Sequence, residues 1–329
     1  MPEFSSSDVN AYIALGVQTA EGTPQVTAAR LRYPRLISGV NVQPERDVVD
    51  VREVGFGMDY SFSYVKTQKG AGQLVAFMRP EVGGLLAAIG IGAATWNGGS
   101  SPASHVFHTN HASYPWFTVI QQHPGSSLEQ LFADSRISGF TLEGMAGEPW
   151  KWTIPFITKN PGASYADLTP TYFSDDAIIY HSGAPSYQLD GVADSTIESW
   201  KITAAISLEE LQAQSVGLDT LVPQTRDLDI EVTRRYQNTT LFNKVYYGGG
   251  VAPTQSVATG SFKIVQAHPG SPTPFYELHA PLITWRQNAI TEINPEGQTV
   301  KEVITGRLLR GATHSLILGI NNAHASAYA

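Results

Sequence analysis

One decapeptide occurs twice in this chain. Phe117-Thr-Val-Ile-Gln-Gln-His-Pro-Gly-Ser126 and Phe262-Lys-Ile-Val-Gln-Ala-His-Pro-Gly-Ser271 share Phe, Gln, His, Pro, Gly and Ser at the same places, and their Val-Ile and Ile-Val pairs exchange conservatively. Such a repeat constrains the fold more than composition does, because it asks for two similar supersecondary units in one polypeptide. The surroundings agree. Residues 58–90 read as strand, polar turn and short helix, and so do residues 227–249. Downstream, residues 131–156 and 276–309 each read strand, turn, strand. The first copy is longer by about 20 residues, which a loop insertion at 90–104 accommodates at little entropic cost. The expected division is a first β unit at 1–165, a proline-bearing linker at 166–194 and a second β unit at 195–329. The competing organisation is one large sandwich in which the decapeptide match is fortuitous.

Local patterning is that of a mainly β chain with a few short helices. Arg35-Leu-Ile-Ser-Gly-Val-Asn-Val42, Val48-Val-Asp-Val-Arg-Glu-Val54, Tyr60-Ser-Phe-Ser-Tyr-Val65, Trp116-Phe-Thr-Val-Ile120, Ile137-Ser-Gly-Phe-Thr-Leu-Glu143 and Trp150-Lys-Trp-Thr-Ile-Pro-Phe156 each mix β-branched or aromatic residues with polar ones. Alternation at period two marks strands with one face buried. Pro80 is placed to open a helix that runs through Leu85, Leu86 and Ile89 to Gly90. Residues 238–246 suggest a second helix, and Ser126-Ser-Leu-Glu129 reads as a capping box that starts a third through Leu131 and Phe132.

Composition and motifs narrow the function classes. The formal net charge is −8, and Lys and Arg are not clustered as a nucleic-acid reader requires. Charged residues are 15% of the chain against 42% hydrophobic, which suits a well-packed protein with surface left to bury against other subunits. With no cysteine, disulfides and thiolate chemistry are excluded. Residues 1–10 lack a signal-peptide pattern, and the longest apolar run, 83–96, is too short to span a bilayer, so a soluble protein used without export is expected. His105, His108 and His111 form the one array that resembles a metal set, but in a strand-and-loop context they do not converge, and no neighbouring carboxylate completes a shell. His123 and His268 sit in the repeated turns and suit a structural hydrogen bond. Asp175-Asp176 and Glu209-Glu210 are neighbours that point apart on a strand, a poor geometry for acid–base work. Gly248-Gly-Gly250 lacks the Lys that would make it a phosphate loop. No catalytic residue, cofactor or metal is expected.

The segment Ile13-Ala-Leu-Gly-Val-Gln-Thr-Ala-Glu-Gly-Thr-Pro24 resembles the opening of the tail tube proteins of long, non-contractile-tailed bacteriophages, which begin with an apolar strand and a Gly-x-x-x-x-x-Gly-Thr-Pro turn. The layout is similar as well, from the glycine-broken helix at 83–90 to the closing segment Gln298-Thr-Val-Lys-Glu-Val-Ile-Thr-Gly-Arg307. The resemblance implies two tandem tail-tube-type β-barrel or sandwich domains and a virion structural protein without enzymatic activity. It would assemble in the host cytoplasm into stacked rings that conduct viral DNA. The partners implied are further copies of the chain, the tape measure, tail terminator and distal tail proteins, and DNA in transit without specific binding; no membrane is involved. Two units per chain favour a trimer of pseudo-sixfold shape over a hexamer, since the channel grows with strand number. A carbohydrate- or receptor-binding β-sandwich at the virion surface is the alternative, with Trp150, Trp152 and Tyr60 as its aromatic candidates. A tail-associated glycan hydrolase is a further one.

A tube must pass DNA without gripping it, and an acidic wall would repel phosphates. Asp227-Leu-Asp-Ile-Glu-Val232 is the candidate lumen strand, with Asp227, Asp229 and Glu231 on one side and Leu228, Ile230 and Val232 in the core. Glu143 and Glu302 are further lumen candidates, while Arg234 and Arg235 would interrupt an acidic wall. Residues 43–57 and 207–224 occupy matching places in the two copies and read as long loops for ring-to-ring contact. Their candidate residues are Arg46, Asp47, Arg52 and Glu53 in the first, and Leu208, Leu211, Leu218 and Leu221 in the second. The competing reading folds these loops back over their own unit.

Overall fold

The computed structural model describes residues 12–27, 30–37, 42–54, 59–92, 94–97, 103–109, 114–123, 128–160, 162–166, 168–170, 186–250, 252–253, 255, 257–267, 274–290, 299–312 and 314–322. Strands dominate. The first half contains β1 (Tyr12–Val17), β2 (Gln43–Val51), β3 (Phe62–Phe77), helix α1 (Pro80–Gly90), β4 (Ala94–Asn97), β5 (Ala103–His108), β6 (Phe117–His123), β7 (Leu128–Ile137), β8 (Gly139–Met145), β9 (Lys151–Thr158) and β10 (Ala163–Ser164). The second contains β11 (Ser186–Leu189), β12 (Val192–Ala193), β13 (Ile197–Leu211), β14 (Thr220–Arg235), α2 (Thr240–Tyr247), β15 (Thr259–Ala267), β16 (Pro274–Ile290), β17 (Lys301–Leu308) and β18 (Ile317–Asn322). Neither helix is long and apolar enough to cross a membrane.

The repeated decapeptide marks a repeated topology. β6 pairs with β1 and β7, and its counterpart β15 pairs with β11 and β16, all antiparallel. Long hairpins, β2–β3 and β13–β14, precede α1 and α2. β3 then takes β9 as its second neighbour, and β14 takes β17. β16 does in one piece what β7 and β8 do in two: β16 pairs with β17 as β7 and β8 pair with β9, and the register slips once along the way in each half. Residues 171–185 of the expected linker lie outside the described residues, whereas β11 and β12 fall at its end and join the sheet of the second half.

The halves meet in a continuous ladder. β8 pairs antiparallel with β13 from Ser199↔Met145 to Ala205↔Gly139. One sheet therefore runs β2, β3, β9, β8, β13, β14, β17, β16 across both halves. It does not close into a barrel among the described residues. Behind this ladder lies a shared core: Trp150 meets Trp200 edge to face at 5.0 Å, and Tyr276 packs on Trp150 at 6.1 Å. Such contacts add about 0.5–1.5 kcal/mol each beyond their buried area. Burial pushes the Tyr187 phenol up, partly offset by the nearby indole N–H groups of Trp200 and Trp150.

α1 starts at its proline, as the sequence predicts, and every residue in it is buried. A helix apolar on all sides belongs inside a core. It packs on β18, β9 and β5, and Gly83 leaves the space that the Tyr276 hydroxyl fills. α2 is shorter and half exposed, with Leu241 its one buried residue. It ends at Gly248 in the left-handed region, a conformation glycine adopts freely.

Several expectations need correction. The segment after Ser126 is not a helix: Glu129, Leu131 and Phe132 belong to β7, paired opposite Gln122, Ile120 and Val119. A local cap is worth about 1 kcal/mol, less than a full antiparallel ladder with Phe132 buried in the core. The described part of the insertion near 90–104 is not all loop. It contains β4 and leads into β5, a hairpin whose second strand pairs with β18 and fastens the end of the second half to the first. Of the strand expected at 35–42, residues 38–41 lie outside the described set, and Leu36 makes an isolated bridge to Ala76.

Candidate assembly surfaces

The sheet that crosses the two halves has one face in the core and one in solvent. On β14 the alternation is as predicted: Leu228, Ile230 and Val232 are buried, and Asp227, Asp229 and Glu231 are exposed. Neighbouring strands continue the same face, and their registers assemble rows across it. One row runs Lys151, Glu143, Lys201, Glu231 over β9, β8, β13 and β14. Opposite charges thus stand side by side, the arrangement that favours cross-strand pairing. Lys151 lies 2.5 Å from Glu143. In the adjoining row Arg307 of β17 bonds to both Asp227 and Asp229, at 2.7 and 2.9 Å.

The face is consequently a charge mosaic, not the acidic wall expected from β14 alone. Lys151, Lys201 and Arg307 were missed because the sequence does not state which strands lie next to β14. The alternation of Trp200-Lys-Ile-Thr203 was a usable signal, since it puts Lys201 opposite the buried Trp200 and Ile202.

Glu302 leaves the set of lumen candidates. It is 0% exposed and lies 2.6 Å from the Arg234 guanidinium, which also holds Asp194 at 2.6 Å. Asn288 donates its side-chain amide to the other Glu302 oxygen. Burial works against the charge of Asp194, but hydrogen bonds from Thr196 and Arg234 overcome it and hold that carboxyl below its ordinary range. Arg234 thus turns into the interior and does not interrupt any wall. Arg235, on the opposite side of β14, is exposed.

The two segments expected as stacking loops are the arms of long hairpins. Arg46 and Asp47 lie on β2 and are exposed, and Arg52 and Glu53 lie just beyond it near the hairpin end, with Arg52 stacked over Tyr60 at 4.4 Å. Val49 and Val51 face Tyr64 and Phe62 across the ladder, so one side of the arm carries an apolar stripe, with both aromatic rings about half exposed. The second arm lies against the first. Gln68 bridges to Gly217 in parallel, Lys69 pairs with Glu210 at 2.7 Å, and the Gln212 amide donates to the Lys66 carbonyl.

Within the second arm the leucines divide. Leu211 is 39% exposed, and Leu208 is half-buried against the main core. Leu218 and Leu221, expected to be exposed, are buried with Trp116 and Ile157 in a satellite cluster. Arg136 stacks over Trp116 and donates to the Leu221 carbonyl, which pins the base of this arm to the first half.

The histidines give no metal centre among the described residues. His105 is buried on β5, His108 stacks on His314 at 4.2 Å, and His111 lies outside the described residues. His123 meets the Gln121 amide at 2.9 Å, whereas His268 lies outside.

The outer strands of the sheet are paired less fully than the inner ones among the described residues. Among the described residues β2 is paired on one side only, by β3. β16 carries β15 up to Thr284, and from there to Ile290 its only strand partner among the described residues is β17. The same side of the equivalent strand in the first half, β8, is occupied by β13.

Comparison with known proteins adds a family to this geometry. No curated protein matches the chain. The family model described as phage tail tube protein matches residues 9–294 of the 329. A match over most of the chain, on a chain built mainly of β strands, shows that the protein belongs to the phage tail tube protein family.

Proposed function

We propose that this chain is the repeating subunit of a phage tail tube, that three copies close into a ring of pseudo-sixfold shape, and that stacked rings form a conduit for DNA. The ladder between β8 and β13 carries the reading. It joins two topologically similar halves edge to edge and, among the described residues, leaves a strand edge unpaired at each end of the sheet. Unpaired strand edges are templates for pairing, and a closed ring of identical subunits satisfies all of them.

The polar face of the sheet, with Asp227, Asp229, Glu231 and Glu143, is the wall we assign to the lumen, since its other face is committed to the core. Its interleaved bases make it close to neutral over short distances. Charge alternating at strand spacing is screened within a few ångströms, so DNA meets neither a long-range barrier nor a run of cations to hold it. The hairpin arms, with Arg46, Asp47, Arg52, Glu53, Leu208 and Leu211, are the surfaces we assign to ring stacking. Tape measure, terminator and distal tail proteins are the further partners this role implies, and the virion is its location; the role includes no catalytic step.

Electron microscopy of the purified protein over a concentration series tests the reading. Rings with three long-range repeats and six density lobes, stacking into hollow tubes, are the expected result. Compact monomers at every concentration would overturn it.

A further inference from the structure

The polar face of the sheet is indented where β13, β14, β17 and β16 run side by side, and the depression holds about 350 Å³. Register sets its contents. Lys201 of β13 stands opposite Glu231 of β14, and Glu231 stands opposite Thr305 of β17. Beyond Thr305 the ladder slips: Trp285 pairs with Gly306 and Gln287 with Thr305, so Arg286 is the extra residue of a bulge. A bulge re-aims its side chain, and Arg286 is exposed beside the buried Trp285. Ile230, its side chain in the core, and Gly306 meet the depression through their backbone, while the short side chains of Thr203 and Thr305 leave it open.

The charged groups here differ in what already holds them. Asp229 is bound by Arg307 at 2.9 Å, and elsewhere on the face Lys151 is bound by Glu143 at 2.5 Å. Among the described residues Lys201, Arg286 and Glu231 make no ion pair or side-chain hydrogen bond, and the hydroxyls of Thr203 and Thr305 have no partner either. Two cations and two hydroxyls offer donors to the oxygens of one anion, and Arg and Lys bind such oxygens through charge-assisted hydrogen bonds. The carboxylate between them can only accept, so it suits an oxygen that carries a hydrogen and repels one that carries none.

We propose that this depression is a binding site for hydrogen phosphate, with Arg286 and Lys201 on its charged oxygens and Glu231 accepting the hydrogen of its P–O–H group. The carboxylate makes the site selective. Sulfate and the phosphodiester of DNA have no such hydrogen, and their oxygens would face Glu231 as like charges, a repulsive element of the kind that specificity uses. The inference stands on one subunit and does not require the ring. Where the face lines a lumen, the same carboxylate keeps two unpaired bases from gripping DNA.

Isothermal titration calorimetry of the native chain at neutral pH with sodium phosphate, sodium sulfate and a short duplex DNA tests this. Phosphate is expected to bind saturably and at least about tenfold more tightly than sulfate, the factor that one hydrogen bond to a charged group carries. The duplex is expected neither to bind nor to compete. Arg286→Gln is expected to weaken phosphate by about the same factor, and Glu231→Gln to abolish the preference by tightening sulfate. Lys151→Gln, which alters a paired base on the same face, is expected to change neither anion. All three side chains are exposed, so the variants are expected to keep the native circular dichroism spectrum. No saturable phosphate binding, or binding undiminished in Arg286→Gln, would overturn the site. Equal affinity for phosphate and sulfate, or displacement of phosphate by the duplex, would overturn the role of Glu231.

Discussion

Gly139 occupies the corner where β8 begins and β13 passes closest. A Cβ placed there would lie 2.4 Å from the Ala204 carbonyl oxygen, a backbone atom that cannot step aside without moving the seam. Gly139→Val is therefore expected to destabilise the fold by about 1–3 kcal/mol, the usual range for overpacking, read as a lower urea midpoint. An unchanged midpoint would show that the two strands separate at this corner in solution. Side chains whose role depends on such distant neighbours were the hardest to read from the sequence. Glu302 alternates along β17 like any other position, and nothing local distinguishes it from an exposed acid. Only the approach of Arg234 and Asn288, from two other strands, makes its burial tolerable, since a buried charge persists when paired and hydrogen-bonded. Asp227, Asp229 and Glu231 were legible because one strand's alternation suffices to expose them.

At the level of elements, period-two alternation located the bodies of β6, β8, β9 and β14, and the proline start located α1. The capping box misled because Ser126 and Glu129 advertise a helix through neighbours three residues apart, whereas β7 is held by β6 from Leu128 to Ser135. The same limitation turned the hairpin arms into loops: Pro44, Glu45, Arg46 and Asp47 look like a polar connection until the opposing strand at residues 67–70 is seen. The arms carry their own prediction. Phe62 and Tyr64 sit on an exposed apolar stripe, 6.4 Å apart between ring centroids. Replacing both with Ser is expected to leave subunit stability within about 0.5 kcal/mol, as for ordinary surface changes, while tubes shorten or fall apart into single rings by electron microscopy. Full-length tubes from this double variant would remove the arm from the stacking contact.

For the whole molecule, the repeat implies two β units, while the two halves of the sheet share one main core. The main hydrophobic cluster draws on residues from Ile13 to Ile320, β5 grips β18, and β8 grips β13. Thermal or urea unfolding is therefore expected as one cooperative transition by both tryptophan fluorescence and far-ultraviolet circular dichroism; two separated transitions would mean that each half keeps a core of its own. That merger was hidden because a repeat shows likeness between segments, while adjacency between them arises from contacts far apart along the chain. The seam between β8 and β13 also bears on how a ring would begin. Two edges carried by one polypeptide meet at the effective concentration set by their tether, millimolar or above for short connections, however dilute the protein becomes. Every second joint of a six-lobed ring would then be made during folding, and only the alternate joints would depend on how many subunits the infected cell has produced.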